Sequence, residues 1–292
     1  MKRYSPTAAK QRGMAIISAL LIAAVVAVIA GGMLTRQTVF TRSLEAEQLR
    51  IQGQWLLLGG IERSRQLLWD ARQKDVLTRL DQPWAQAQRG VFDGRVDDEQ
   101  GKFNLRNLVN RQQVDTEQLQ SFERLCGLIG VDPALSRRIS QRVIGSYERF
   151  DTPAKYPMLR SLDDLSAVEG LDPLLLQRMQ AFISVLPDIT WVNGNTARAE
   201  VLSAVVPQLS LAQAQALVAE RDSGQWFINR GDFVNRLHLP QVPVDSVQVG
   251  ITSEWFRLQG QVRQDPRRVT LDALLHRPES RRPQVIWSRV GV

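Results

Sequence analysis

Apolar side chains run from Met14 to Thr35 without a single ionisable group, and no other stretch of the chain looks like this one. As a helix rising about 1.5 Å per residue the run is about 33 Å long, enough to cross a hydrocarbon core of about 30 Å. Beyond it, apolar residues recur at helical spacing through Leu44, Leu49, Leu56, Leu57, Ile61 and Leu68, interleaved with Arg, Glu and Gln, and no proline occurs between Pro6 and Pro83. The pattern predicts a membrane helix over 14–35 that continues as an amphipathic stem over 36–82. Gly53, Gly59 and Gly60 weaken that stem by about 1 kcal/mol each and allow it to bend.

The period changes at Pro83. Gly90–Val96 and Lys102–Leu105 alternate apolar and polar residues, which predicts short strands. From about Asn107 to Val247 the spacing is helical again, and here the chain repeats itself: Gly130-Val131-Asp132-Pro133 and the ten-residue unit it opens match Gly170-Leu171-Asp172-Pro173, 40 residues later. In each copy Gly suits a helix C′ position, Asp an N-cap and Pro the first helical position. A more divergent third unit spans Leu202–Leu237, with a helix over Ala212–Arg221 and a loop through Gly224. Asp163-Asp164, after Ser161-Leu162, reads as the first turn of another helix. Strand patterning returns over Ser253–Val262, Arg267–Leu275 and Gln284–Val290, punctuated by Gly260, Pro266 and Pro278. Three such strands can form an antiparallel meander packed on the stem; in the last of them either face could be the core.

Charge alters this picture in two ways. Lys2, Arg3, Lys10 and Arg12 precede the apolar run with no acid among them, whereas Arg36 and Arg42 are soon joined by Glu45 and Glu47. The bias keeps the N-terminus in the cytoplasm and exports the rest. The net charge of +7 suggests nucleic acid, but without those four leader residues 33 basic side chains face 30 acidic ones, or +3. The remaining excess is C-terminal: Arg263, Arg267, Arg268, Arg277, Arg281, Arg282 and Arg289, read as a solvated or protein-contacting arginine face. Cys126 is the only cysteine, excludes an intramolecular disulfide, and sits among Leu125, Leu128 and Ile129 as a buried thiol would. His238 and His276 lie far apart without acids at metal-ligand spacing, and G-x-S-x-G, P-loop and H-E-x-x-H motifs do not occur. Asp97-Asp98-Glu99, the densest acid cluster, reads as an exposed turn, with calcium as the ligand such oxygens would suit.

The leader glycine followed by Met14-Ala15-Ile16-Ile17-Ser18-Ala19-Leu20-Leu21 resembles a type IV prepilin processing site. In that family a membrane peptidase cuts after the glycine and methylates the new N-terminus. The resemblance implies cleavage between Gly13 and Met14, with N-methylated Met14 as the first mature residue. Most members carry a glutamate at the fifth mature position, held to pair with the terminal ammonium of the subunit above; here that position is Ser18. An unpartnered carboxylate in hydrocarbon is costly, so its absence suits a subunit with no neighbour above.

That departure is similar to the GspK family of minor pseudopilins of type II secretion. Three further segments carry the likeness in family order. They are Asp97–Leu108, of the form D-x-x-G-K-F-N-L; Trp191–Ala197 followed by Glu200-Val201-Leu202; and Ser253-Glu254-Trp255-Phe256. The resemblance implies an α+β, pilin-like fold, with a long N-terminal helix packed on an antiparallel sheet (83–106 and 250–292). A large α-helical domain of helix-hairpin-helix-like repeats is inserted at 107–249. It implies a non-enzymatic tip subunit of a periplasmic pseudopilus, single-pass in the inner membrane and periplasmic in bulk. Its partners would be GspI-like, GspJ-like and GspH-like minor pseudopilins, the prepilin peptidase, and a secretin or exported substrates, with no nucleic acid. Calcium is the one cofactor it raises, without assigning ligands.

Two rivals remain. The hairpin repeats also suit a membrane-anchored DNA receptor of a competence or type IV pilus system, although Asp132, Asp172 and Glu169 would repel a phosphate at those turns. An exported enzyme with an ordinary signal peptide would instead begin near Gly31, after Ala27-Val28-Ile29-Ala30.

Overall fold

The structure, a computed structural model, describes residues 7–150, 152–264 and 267–291. Lys2 and Arg3 of the basic leader lie outside the described residues. Helix α1 spans Thr7–Lys74, with Arg72 and Lys74 in its last turn, where the negative end of the helix dipole favours them. Two compact units are distinguished, Met1–Trp55 and Leu56–Val292. In the first, every described side chain from Met14 to Glu45 is exposed.

In the second unit, Leu57, Ile61, Leu68 and Ala71 of α1 are buried on one helix face against a four-stranded sheet. The helix stops at Lys74, short of the stem expected over 36–82. The chain is drawn off the helical ladder there: Leu77 N donates to Asp75 Oδ1 (2.9 Å) and Thr78 N to Ile251 O (3.0 Å).

The sheet comprises β1 (Phe92–Asp98), β2 (Trp255–Gln264), β3 (Arg267–His276) and β4 (Gln284–Gly291). They are ordered β1-β2-β3-β4 and antiparallel throughout. The meander expected from the last three runs is present, and β1 joins it as a fourth strand. Val96, Phe256, Leu258, Val262, Leu271, Ala273 and Leu275 turn one face towards α1. Gly60 on α1, Gly94 on β1 and its cross-strand partner Gly260 on β2 form a seat for the Phe92 ring. A Cβ at these positions would lie 2.7, 2.3 and 2.2 Å from ring atoms. Gly60 is therefore required by close packing, whatever it does to the helix. On β4 neither face is fully core. Val285 and Val290 stand opposite Leu275 and Leu271, on the α1 side, yet remain exposed; Trp287, opposite Leu274, is half-buried with Leu186 and Trp255.

Between β1 and β2 lie α2 (Thr116–Leu128), α3 (Pro133–Ile144), α4 (Pro173–Met179), α5 (Ala199–Val205), α6 (Leu211–Asp222) and α7 (Arg230–Arg236). They surround a separate core that includes Phe103, Phe122, Leu125, Cys126, Ile139, Leu165, Val201 and Phe233. The turn chemistry at the two matching segments is alike. Gly130 (φ 74°) and Gly170 (φ 84°) are left-handed, and Asp132 and Asp172 cap α3 and α4, each with proline next. Ser161 and Asp164 form a capping box on a short 3-10 turn, Leu162–Leu165, where a helix start was expected. The Lys102–Leu105 run, expected as a strand, pairs only over Phe103–Asn104, in parallel with Ile183–Ser184 and apart from the main sheet. A second parallel pair joins Val192–Asn193 to Val249–Gly250.

Candidate functional site

α1 is long and apolar enough, by length and composition, to cross a membrane. Gly13 and Met14 lie within it, and side chains are described from Met14 onward. The Ser18 hydroxyl donates to Met14 O at 2.9 Å, and Thr35 and Thr38 do the same to Gly31 O and Leu34 O. Each hydroxyl is thus satisfied by its own helix, as a polar group in hydrocarbon must be.

The three segments Asp97–Leu108, Trp191–Ala197 and Ser253–Phe256 meet in the second unit. Their meeting point is Asp98, 7% exposed. Its Oδ2 accepts from Ser253 Oγ (2.6 Å), Thr196 Oγ1 (2.6 Å) and Asn193 Nδ2 (3.0 Å), while Oδ1 accepts from Gln100 N (2.8 Å). Asn193 Nδ2 also donates to Ser253 Oγ (2.8 Å) and Thr78 O (3.1 Å). Thr78 Oγ1 accepts from Ser253 N (3.0 Å) and from the guanidinium of Arg277 (2.7 Å), which donates in addition to Ser253 O (2.7 Å) and Leu68 O (3.3 Å). Gln100 Oε1 accepts from Glu254 N at 2.6 Å. The junction ties β1, the Asn193 turn, the start of β2, Leu68 of α1 and Thr78 just after α1 together.

Two expectations are corrected here. Asp98 and Glu99 are not an exposed turn: Glu99 is 4% exposed and pairs with Lys102 at 2.5 Å. Arg277 is not part of a solvated arginine face: it is 2% exposed and lies 4.7 Å over the Phe256 ring. Arg263, Arg268, Arg281, Arg282 and Arg289 are exposed as read, and the Arg267 side chain lies outside the described ones.

Burial raises the Asp98 pKa above its ordinary value, with hydrogen bonds from Ser253, Thr196, Gln100 and Asn193 acting the other way. Glu99 is raised by burial too, opposed by Lys102. Burial lowers the Arg277 guanidinium to about 10, with Asp98 opposing. At Asp98 the four hydrogen bonds oppose the effect of burial without outweighing it.

The acid cluster does not fit calcium. Asp97 pairs with Arg95 (2.9 Å), Glu99 with Lys102, and Asp98 is filled by four donors, so the three carboxylates face different partners. Among the described residues no group of three His, Cys, Asp or Glu side chains converges. A cleft of about 750 Å³ beside the junction is lined by Arg95, Asp97, Lys102, Arg198 and Arg257, among others. Its charges are mostly committed: Arg257 chelates Asp272 at 2.7 Å through two bonds. His276 stacks on Trp255 (4.3 Å) and lies 3.4 Å from Glu254, while His238 is exposed.

Sequence reasoning placed Asp98, Gln100, Asn193, Thr196 and Ser253 in family-like segments but not in one site; it read Arg277 as surface and did not single out Thr78. The available signal was polar side chains embedded in apolar runs, such as Val192-Asn193.

Two family models match this chain, both described as type II secretion system protein K, over residues 101–188 and 192–252. The type II secretion system protein K of Pseudomonas aeruginosa is 26% identical, covering 96% of this chain and 93% of that protein. That of Pectobacterium carotovorum is 28% identical, covering 97% of each. Among solved structures, a chain of the GspK-GspI-GspJ complex from enterotoxigenic Escherichia coli has a TM-score of 0.68 at 18% identity, covering 86% of this chain and 99% of that one. The fold is shared with that chain, and the two family models together take in half of this one. The chain belongs to the type II secretion system protein K family.

Proposed function

We propose that the chain is a minor pseudopilin at the tip of a periplasmic pseudopilus, a structural subunit that aids protein export and is not an enzyme. Prepilin peptidase cuts between Gly13 and Met14 and methylates Met14. The mature helix sits in the inner membrane with its N-terminus cytoplasmic and its bulk periplasmic, as the basic leader dictates. It then packs against the helices of GspI-like, GspJ-like and GspH-like subunits. The GspK-GspI-GspJ complex of enterotoxigenic Escherichia coli supports the first two partners. Ala15, Ala19, Ala23, Ala27, Gly31 and Gly32 allow close helix approach.

The observation that carries this reading is Ser18. The fifth mature position holds a hydroxyl already bonded to Met14 O, so it offers no charge to a subunit above. The helices between β1 and β2 add a steric cap as an inserted, repeat-built domain over 107–249. A DNA-receptor role is disfavoured at the same repeats: Asp132 occupies Ala134 N and Leu135 N, and Asp172 occupies Leu175 N, the amides a phosphate would need.

Mass spectrometry of the mature N-terminus tests the assignment. A start at methylated Met14 is expected; a start at Gly31 makes the protein an ordinary exported one and overturns the proposal.

A further inference from the structure

The sheet has two edges, and they are treated differently. Along β1 the chain closes its own edge: Gln88 N donates to Gly94 O (2.7 Å) and Gly94 N to Gln88 O (2.9 Å). Along β4 no described residue bonds to the outward backbone groups of Gln284–Gly291. The nearest such contact, from Arg65 Nε, stops at Pro283 O. At about 3.3 Å per residue this bare edge is about 26 Å long.

Bare edges are normally blunted by charges, proline or cover, because an open row of N–H and C=O groups templates another strand. Here three of the exposed side chains are apolar, Val285 (38% exposed), Ile286 (43%) and Val290 (52%), beside the polar Gln284, Ser288 and Arg289. A bulge between Val285 and Trp287 twists the first residues, and regular register runs from Trp287 to Gly291. Free positive charge lies near both ends. Arg263 and Arg268, cross-strand partners on the β2–β3 hairpin just past Gly291, are exposed and make no ion pair or hydrogen bond among the described residues. Arg281 and Arg282, just before the strand, are exposed and make no ion pair or hydrogen bond among the described residues. Their neighbour Glu279 is held by Arg72 at 3.3 Å. Arg289, by contrast, is engaged by Asp163 (2.7 Å) and Ser161 (3.1 Å).

We propose that β4 is a docking edge for an extended strand of another protein, apolar along its middle and acidic at both ends. Backbone ladder bonds supply the affinity, as in other strand-addition complexes. The two ends of the docked strand lie beside Arg281 and Arg282 at the start of β4 and near Arg263 and Arg268 past its end, so charge favours an acidic strand over a basic one. The inference rests on this edge alone and holds or fails apart from the tip role.

The test uses the full chain in detergent micelles and a fluorescein-labelled peptide of alternating threonine and valine flanked by glutamates at both ends. Fluorescence anisotropy is read for this peptide, for one flanked by lysines instead, and for one N-methylated at alternate backbone amides. The acidic peptide should bind about tenfold more tightly than the lysine peptide, and the N-methylated one should not bind. Hydrogen exchange at β4 amides should slow on binding. Val285→Lys with Val290→Lys should weaken binding about tenfold while circular dichroism stays unchanged. Arg281→Glu with Arg282→Glu should remove most of the preference between the two charged peptides. Absence of binding, equal binding of the N-methylated peptide, indifference to the two valine variants, or equal affinity for the two charged peptides each overturns the proposal.

Discussion

The carboxylate of Asp98 and the side-chain amide of Asn193, 95 positions apart, meet at 3.0 Å inside the protein. The pair explains why three separated polar segments belong to one pattern. Each contributes a donor or acceptor that would be stranded without the others, and a buried group left unmatched costs about 1–3 kcal/mol.

Asp98→Ala should therefore cost about 3–5 kcal/mol, because Ser253, Thr196, Asn193 and Gln100 all lose their acceptor at once. Urea unfolding followed by tryptophan fluorescence would measure it. A loss below about 1 kcal/mol would show that the junction is not a stability element.

Acid pH tests the state of Asp98. Its pKa is raised in the folded protein, chiefly by burial, so the native state holds this proton more tightly than the unfolded chain. The resulting stability is present below the unfolded value of about 3.9 and is lost as pH rises through the folded value. The stability of the wild type relative to Asp98→Asn should fall as pH rises from about 3 to 7. A relative stability that climbs over that window would mean that the hydrogen bonds outweigh burial.

The glycine seat of Phe92 is suited to a double-mutant cycle. Gly260→Ala places a methyl 2.2 Å from the ring tip and should cost about 1–3 kcal/mol. In a Phe92→Ala background most of that cost should vanish, because the clashing ring is gone. Additive losses in thermal unfolding would place the strain elsewhere, such as at Asp93 O, 3.0 Å from the same methyl.

Cys126 is 1% exposed, and burial lifts its thiol to about 11. A thiol-specific reagent at neutral pH should leave it unmodified in the native protein and label it fully in denaturant. Rapid native labelling would report an opening of α2 that the packing does not suggest.

Ser18→Glu puts a carboxylate where the hydroxyl now bonds to Met14 O. Processing after Gly13 should continue, while co-purification with partner minor pseudopilins and export of substrate should fall. Unimpaired assembly and export would remove the physical basis of the tip assignment.

The residues themselves were enough to place the anchor and the turns. An uncharged run from Met14 to Thr35 can only be solvated by lipid or protein, and Gly-x-Asp-Pro specifies a left-handed stop followed by a capped start whatever lies around it. The β2, β3 and β4 runs were likewise legible, since alternation is a local property. The helix end at Lys74, the recruitment of β1 and the pairing of Phe103–Asn104 with Ile183–Ser184 were not, because each depends on a partner distant along the chain.

The burial of Asp98, Glu99 and Arg277 belongs to the same class. Taken alone, these residue types favour water, and the exposed-turn and solvated-face readings followed from that preference. Only the tertiary structure could reverse it, by bringing Asn193, Thr196, Ser253 and Thr78 close enough to replace the lost water. Local chemistry thus determined where the chain is apolar enough to span a membrane and where it turns and caps. Long-range packing decided which charges are kept inside, because the desolvation of a charge is offset only by partners that folding assembles.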